Sequence, residues 1–337
     1  MKNILIVKPS ALGDIVQATC ILPVLSSRFP DAKISWLVFE HNAEVIANHP
    51  LLHRVITMKR QGSLLGHYPS VIRALREARF DAVIDIQGLL RSALLSFLTG
   101  CARRIGYANG REQSTLFYNE VYDIPTRGMH AVDGYLRLCE MLGAPRPDKV
   151  TFPLPVNDTH RERIGALIPT SSVEKPLVTL CPTARWKTKC WPEASFAALA
   201  DLLCEQVNAG IILSGAPDEK EIVGRVARLM KHECLDLSGR LSIMELAAVL
   251  ERSDLYVGND SGVMHLASAT GTKTVAIFGP TDPNRTGPYN PLATVVRADL
   301  NCMPCFKKEC ATMDCLKNLA PETVAEACIR QLTRLPE

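Results

Sequence analysis

The strongest constraint on this chain is a strand–turn–helix unit that opens it and then recurs along its length. Residues 4–7 are an unbroken apolar run, Ile-Leu-Ile-Val; Lys-Pro-Ser-Ala-Leu-Gly-Asp follows, and residues 15–25 then carry apolar side chains at helical spacing. Four apolar residues without alternation read as a strand buried on both faces, and Gly13 stands where backbone turns tightly or approaches a ligand. Further strands are predicted at 34–39, 55–58, 82–86 and 104–107, with helical patterns at 68–78, 88–98 and 132–142. Strands alternating with helices imply a parallel sheet covered on both faces.

The plan then starts again. Strands at 177–181, 211–213, 235–237, 255–257 and 274–278, the last of the series, alternate with helices at 193–207, 218–230, 243–250 and 262–270. Between the two series Pro145, Pro147, Pro153 and Pro155 mark a stiff, extended connection. A chain of 337 residues is too long for one ordinary core, and a hydrophobic share of 47% suffices for two. The expected organisation is α/β: a Rossmann-like doubly wound domain over 1–155 and a second over 172–320, the two facing across a cleft. A closing helix in 321–337 is expected to pack back on the first domain. Doubly wound sheets bind ligands outside the carboxyl ends of their strands, which would put the chemistry in that cleft.

Composition narrows the setting. The mean hydropathy of +0.06 excludes a disordered chain, and no apolar run approaches the ~20 residues of a membrane span. Met-Lys-Asn and a run that Lys8 ends make no secretory h-region. The expectation is a cytoplasmic protein, touching a membrane only from the cytosolic side, with no nucleic-acid partner. A net charge of +3 conceals an asymmetry: residues 1–170 carry 20 Lys and Arg against 15 Asp and Glu, the remainder 18 against 20. The first half is therefore the one suited to an anionic partner. Twelve cysteines in such a chain argue for thiols rather than disulfides. Eight stand singly among apolar neighbours, as Cys20, Cys101, Cys139 and Cys204 do, and are expected to be buried thiols. Cys302, Cys305, Cys310 and Cys315 are clustered as C-x2-C-x4-C-x4-C, which reads as a structural loop with free thiols; the alternative is zinc or an iron–sulfur cluster.

Three turns carry the chemistry. In Tyr256-Val257-Gly258-Asn259-Asp260-Ser261-Gly262-Val263-Met264-His265 a strand ends at a polar turn and a helix begins at once, so free backbone N–H groups and the positive dipole end can receive a diphosphate. Asp260 can accept from a ribose or sugar hydroxyl; the plain alternative is that Asp260 or Ser261 merely caps the helix. Cys181-Pro182-Thr183-Ala184-Arg185-Trp186-Lys187-Thr188-Lys189 also leaves a strand and carries three cations, either a phosphate clamp or a solvated loop. Asp14 stands at a helix start beyond the first strand, where it can cap the helix or deprotonate a hydroxyl nucleophile.

These turns belong to a wider likeness. VKPSALGDIV, IDIQGLLRSAL at 84–94, STLFYNEVY followed by HAVDGYLRL, CPTARWKTKCWP, LSGAPDE at 213–219 and GNDSGVMHLASATGTKTVAIFGPTDP at 258–283 run in order along the chain. Together they resemble the lipopolysaccharide heptosyltransferases of glycosyltransferase family 9. IDIQGLLRSAL and LFYN look most like the branch acting on Kdo of lipid A, whereas the cysteine-bearing tail looks more like branches adding later heptoses. The resemblance implies a GT-B fold, an ADP-heptose donor, inversion at the anomeric carbon and no catalytic metal. It matches Asp14 to the catalytic base and Lys189 to the lysine on the donor diphosphate. Thr183, Glu219, Asp260, Ser261, Gly262 and His265 match the donor site, with Ser261 in place of a Thr and Glu219 set to reach the nucleotide ribose. Lys8, Arg60, Arg91 and His130 are candidates for the anionic lipid A or inner-core acceptor, although Arg91 can equally cap or pack near IDIQG. A monomer in peripheral contact with the inner face of the inner membrane is expected. Two other readings stay open: a GT-B-type sugar-nucleotide epimerase, and a nucleotide- or metal-responsive binding protein that uses the cysteine tail.

Overall fold

The computed structural model describes residues 1–60, 68–125, 128–168 and 175–334; the segment limits expected at 172 and 337 lie outside the described residues. The chain divides into two compact units, Met1–Pro155 and Val156–Glu337. In the first, β1 (Asn3–Val7), β2 (Lys33–Phe39), β3 (Arg54–Met58), β4 (Ala82–Asp85), β5 (Arg104–Tyr107) and β6 (Glu120–Tyr122) form one sheet in the order β3-β2-β1-β4-β5-β6. Every neighbouring pair is parallel. Helices α1 (Leu12–Ala18) and α2 (Ile21–Arg28) follow β1, α3 (Tyr68–Glu77) follows β3 and α4 (Leu90–Leu98) follows β4, making crossovers, while α5 (Ala131–Met141) follows the last strand β6. One face packs Leu5, Val7, Leu37, Met58 and Val83 against Val71 and Leu75 of α3 and Leu95 of α4. Each fully buried side chain of this size is worth ~1.5–3 kcal/mol relative to exposure.

The second unit repeats the topology. Its strands β7 (Leu177–Cys181), β8 (Gly210–Leu213), β9 (Leu235–Asp236), β10 (Leu255–Asn259), β11 (Thr274–Ile277) and β12 (Ala293–Val296) are again all parallel, in the order β12-β11-β10-β7-β8-β9. The helices are α6 (Asp158–Leu167), α7 (Glu193–Val207), α8 (Lys220–Leu229), α9 (Ile243–Arg252), α10 (Gly262–Ala269), the short α11 (Pro283–Thr286) and α12 (Asp314–Lys317), and α13 (Pro321–Thr333). In each sheet the chain first builds outward and then returns to the centre, so strand order reverses once: between β1 and β4, and between β7 and β10. The loops leaving those central strands diverge to opposite faces and leave a crevice between them.

Several elements differ from the sequence reading. The helix expected over 15–25 is two, α1 and α2, because Pro23 has no N–H to give the Thr19 carbonyl, which takes Leu22 N instead at 3.0 Å. The strand at 274–278 is not the last; β12 follows, and β6 and α6 were also unforeseen. Cys204 is half-buried rather than fully buried, as are Cys190 and Cys234. The closing helix α13 belongs to the second unit: Val324, Ala325, Ala327 and Cys328 lie in one core with Trp191, Phe196, Val257 and Ile277, where the expectation had it packing on the first. Trp191 Nε1 donates to the Leu319 carbonyl at 3.0 Å and Gln331 Nε2 to Thr294 Oγ1 at 2.6 Å, so both ends of that helix are tied down locally.

Candidate active site

In the second unit the two loops that leave β7 and β10 meet. Asn259, at the end of β10, accepts from Trp191 N at 3.0 Å and donates through Nδ2 to the Pro182 carbonyl at 2.9 Å, stapling one loop to the other. The staple delivers Lys189 to Asp260: Nζ lies 2.6 Å from Oδ2, with Asp260 almost wholly buried. Thr281 Oγ1 donates to the same oxygen at 2.5 Å. Lys189 also lies over the Trp186 ring, 4.7 Å from its centroid, an arrangement that holds an ammonium without neutralising it.

Beside this pair α10 begins. Its N-cap residue Ser261 is extended and makes no side-chain cap, and Asp260 is engaged by Lys189 and Thr281. The capping alternative therefore fails for both. Among the described residues the N–H groups of Gly262, Val263 and Met264 have no acceptor, and they stand at the positive end of the helix as an anion cradle. Thr183 is buried in the loop after β7 and His265 one turn into α10. Glu219 lies beyond β8, where Oε2 accepts from Ala216 N at 2.8 Å and closes a 3-10 turn. Arg185 and Lys187, the other two cations of the loop, are exposed.

The first unit's crevice gathers Lys8 and Asp14 around Tyr135 of α5. Asp14 Oδ2 accepts from Ala11 N at 3.0 Å, so one carboxylate oxygen does cap α1. Lys8 is buried, its Nζ 5.7 Å from the Tyr135 ring centroid. Burial, and then the charge of Asp14, push the Tyr135 hydroxyl well above its ordinary value. Asp85, at the end of β4, is fully buried; it accepts from Gln87 N at 2.8 Å, Gly88 N at 3.1 Å and the Tyr118 hydroxyl at 2.8 Å. Desolvation nevertheless raises its carboxyl above the ordinary range. Arg91 Nη1 donates to the Arg60 carbonyl at 3.2 Å, which brings these two exposed residues together. His130 caps α5, its Nδ1 accepting from Val132 N at 3.2 Å.

The four clustered cysteines are all reduced, Cys302 and Cys310 exposed, Cys305 and Cys315 half-buried. Among the described residues no three or more His, Cys, Asp or Glu side chains converge on a point that could hold a metal ion.

Comparison with known proteins decides the family. The model of glycosyltransferase family 9 (heptosyltransferase) matches residues 69–316, and lipopolysaccharide heptosyltransferase 1 of Pseudomonas aeruginosa is 32% identical over 91% of this chain and 87% of its own. The chain belongs to glycosyltransferase family 9. The solved E. coli ADP-heptose lipopolysaccharide heptosyltransferase II matches with a TM-score of 0.82 at 24% identity, covering 98% of both chains. E. coli heptosyltransferase WaaC with ADP matches at 0.78 and 26% identity, over 98% of this chain and 99% of that one. The fold is GT-B, and the protein is a glycosyltransferase of the heptosyltransferase family.

Sequence reasoning missed several parts of this family 9 enzyme's site. Asn259 and Thr281 lay inside quoted motifs; Asn259 ends β10, which was the available signal, whereas Thr281 stands in the loop after β11. Asp85 was equally visible as a lone carboxylate ending an apolar run. The ring of Trp186 as a seat for Lys189 required the loop's folded path.

Proposed function

We propose that the enzyme transfers heptose from ADP-heptose to the lipopolysaccharide inner core, either Kdo-lipid A or an already heptosylated core, with inversion at the anomeric carbon. The observation that carries this reading is the open amino end of α10 set beside the Lys189–Asp260 pair, which is suited to a sugar-nucleotide diphosphate. In the proposed step an acceptor hydroxyl attacks the anomeric carbon from the side opposite the diphosphate. Its proton goes to Asp14, whose Oδ1 is not the oxygen that caps α1. The bond from the anomeric carbon to the diphosphate oxygen breaks, and the electron pair leaves with ADP. Lys189 and the first-turn N–H groups of α10 take up the charge that develops there.

On this reading the first unit serves the acceptor. Lys8, Arg60, Arg91 and His130 offer cationic or hydrogen-bonding groups, and the basic surplus of the first half suits a phosphorylated lipid held at the inner face of the inner membrane. The enzyme acts there as a peripheral monomer. The test is kinetic: with ADP-heptose and Kdo-lipid A or a heptosylated core, Asp14→Ala should lower kcat by ~10²-fold or more while ADP affinity stays unchanged. Near-normal turnover in that variant would remove Asp14 as the base.

A further inference from the structure

The cysteine-bearing segment, which the donor motifs leave unused, is anchored on the donor loops. Thr188 Oγ1 donates to the Lys307 carbonyl at 2.8 Å. From the same segment, Cys305 N and Phe306 N both donate to the Pro280 carbonyl, at 3.0 and 2.8 Å. Pro280 directly precedes Thr281, the residue bonded to Asp260. The fit is close: a Cβ at Gly279 would come within 3.1 Å of Leu316 Cγ and 3.2 Å of the Thr188 carbonyl. These anchors set the backbone of Lys308 beside the loop after β7. Its Nζ lies 5.3 Å from the Trp186 ring centroid, so two ammonium groups, Lys189 and Lys308, share one indole.

Charge balance separates their roles. Lys189 is already paired with the buried Asp260 carboxylate, and together they bring no net charge to an incoming diphosphate. The amino end of α10 supplies only about half a positive charge. A sugar nucleotide carries two ionised phosphates, and a third negative charge develops when the nucleoside diphosphate leaves. Among the described residues no carboxylate lies within ion-pair distance of Lys308, an exposed residue, so its charge is not balanced by a carboxylate. We infer that Lys308 is a second diphosphate-binding cation, held at the donor site by Trp186 and carried there by the cysteine-bearing segment. The inference rests on the donor reading proposed above.

Binding of ADP, AMP and adenosine to the unsubstituted enzyme and to Lys308→Ala, measured by titration calorimetry, tests it. Loss of a charged contact of this kind should weaken ADP binding by roughly tenfold to a hundredfold and leave adenosine, which has no phosphate, unchanged. Lys308→Arg should restore ADP binding to within about threefold, since the charge remains. Equal ADP affinity in Lys308→Ala would overturn the inference, and so would a parallel loss of adenosine binding, which would make the residue structural. Should the unsubstituted enzyme bind no ADP, the donor reading itself falls and this one with it.

Discussion

At the scale of single residues, Asp85 is the clearest case of a buried group whose chemistry sets stability. Desolvation lifts its carboxyl above the ordinary value of 3.8, so the folded chain favours the protonated form more than the unfolded chain does. The stability linked to that proton is fully present below about pH 3.8 and is lost as pH rises through the higher folded value. Asp85→Asn keeps an acceptor for Gln87 N and Gly88 N but cannot ionise. Its unfolding free energy should therefore lack the decline with rising pH that the native residue contributes, as thermal or urea melts from pH 4 to 8 would read out. Asp85→Ala should instead cost ~1–3 kcal/mol, because two backbone N–H groups and the Tyr118 hydroxyl lose their acceptor. A change below about 0.5 kcal/mol would show that water replaces it. Lys189 and Asp260 were legible in the sequence because each sits in the loop its own strand delivers. Lys308 was not, since it reaches Trp186 only through a tertiary contact across more than a hundred residues of chain.

At the scale of elements, legibility followed burial. The central strands β1, β4, β7 and β10 are covered on both faces, so their apolar runs stood out. The edge strands β6 and β12 are short and largely half-buried, and α6 buries only Ile164, so none of them writes a period into the sequence. Crowding at the middle of β10 is harder to read and more consequential. A Cβ on Gly258 would lie 2.2 Å from the Tyr256 hydroxyl and 3.0 Å from the Cys181 carbonyl, and Tyr256 is fully buried. Gly258→Ala must therefore displace either a core tyrosine or the neighbouring strand β7. We expect a loss of ~1–3 kcal/mol together with weakened ADP binding, because Asn259 and Asp260 follow directly. Unfolding and ADP titration on one preparation would test both, and a variant that melts and binds as the unsubstituted enzyme does would refute the strain argument.

For the molecule as a whole, the charge division becomes a measurable property. No helix among the described residues is long and apolar enough to cross a membrane. Binding to vesicles containing anionic lipid should fall as salt rises from ~50 to 300 mM, because screening shortens the reach of the first unit's surplus cations. Binding indifferent to salt would count against that surface. The repeated strand order has a separate consequence. Each unit makes its own crevice from loops that leave its own two central strands, and every contact described at either site is internal to one unit. On the proposed reading, what the enzyme accepts and what it donates are written in separate stretches of the chain, joined by a proline-rich strap. Selection can rework one like an interchangeable tool head, leaving the other's grip on its nucleotide untouched.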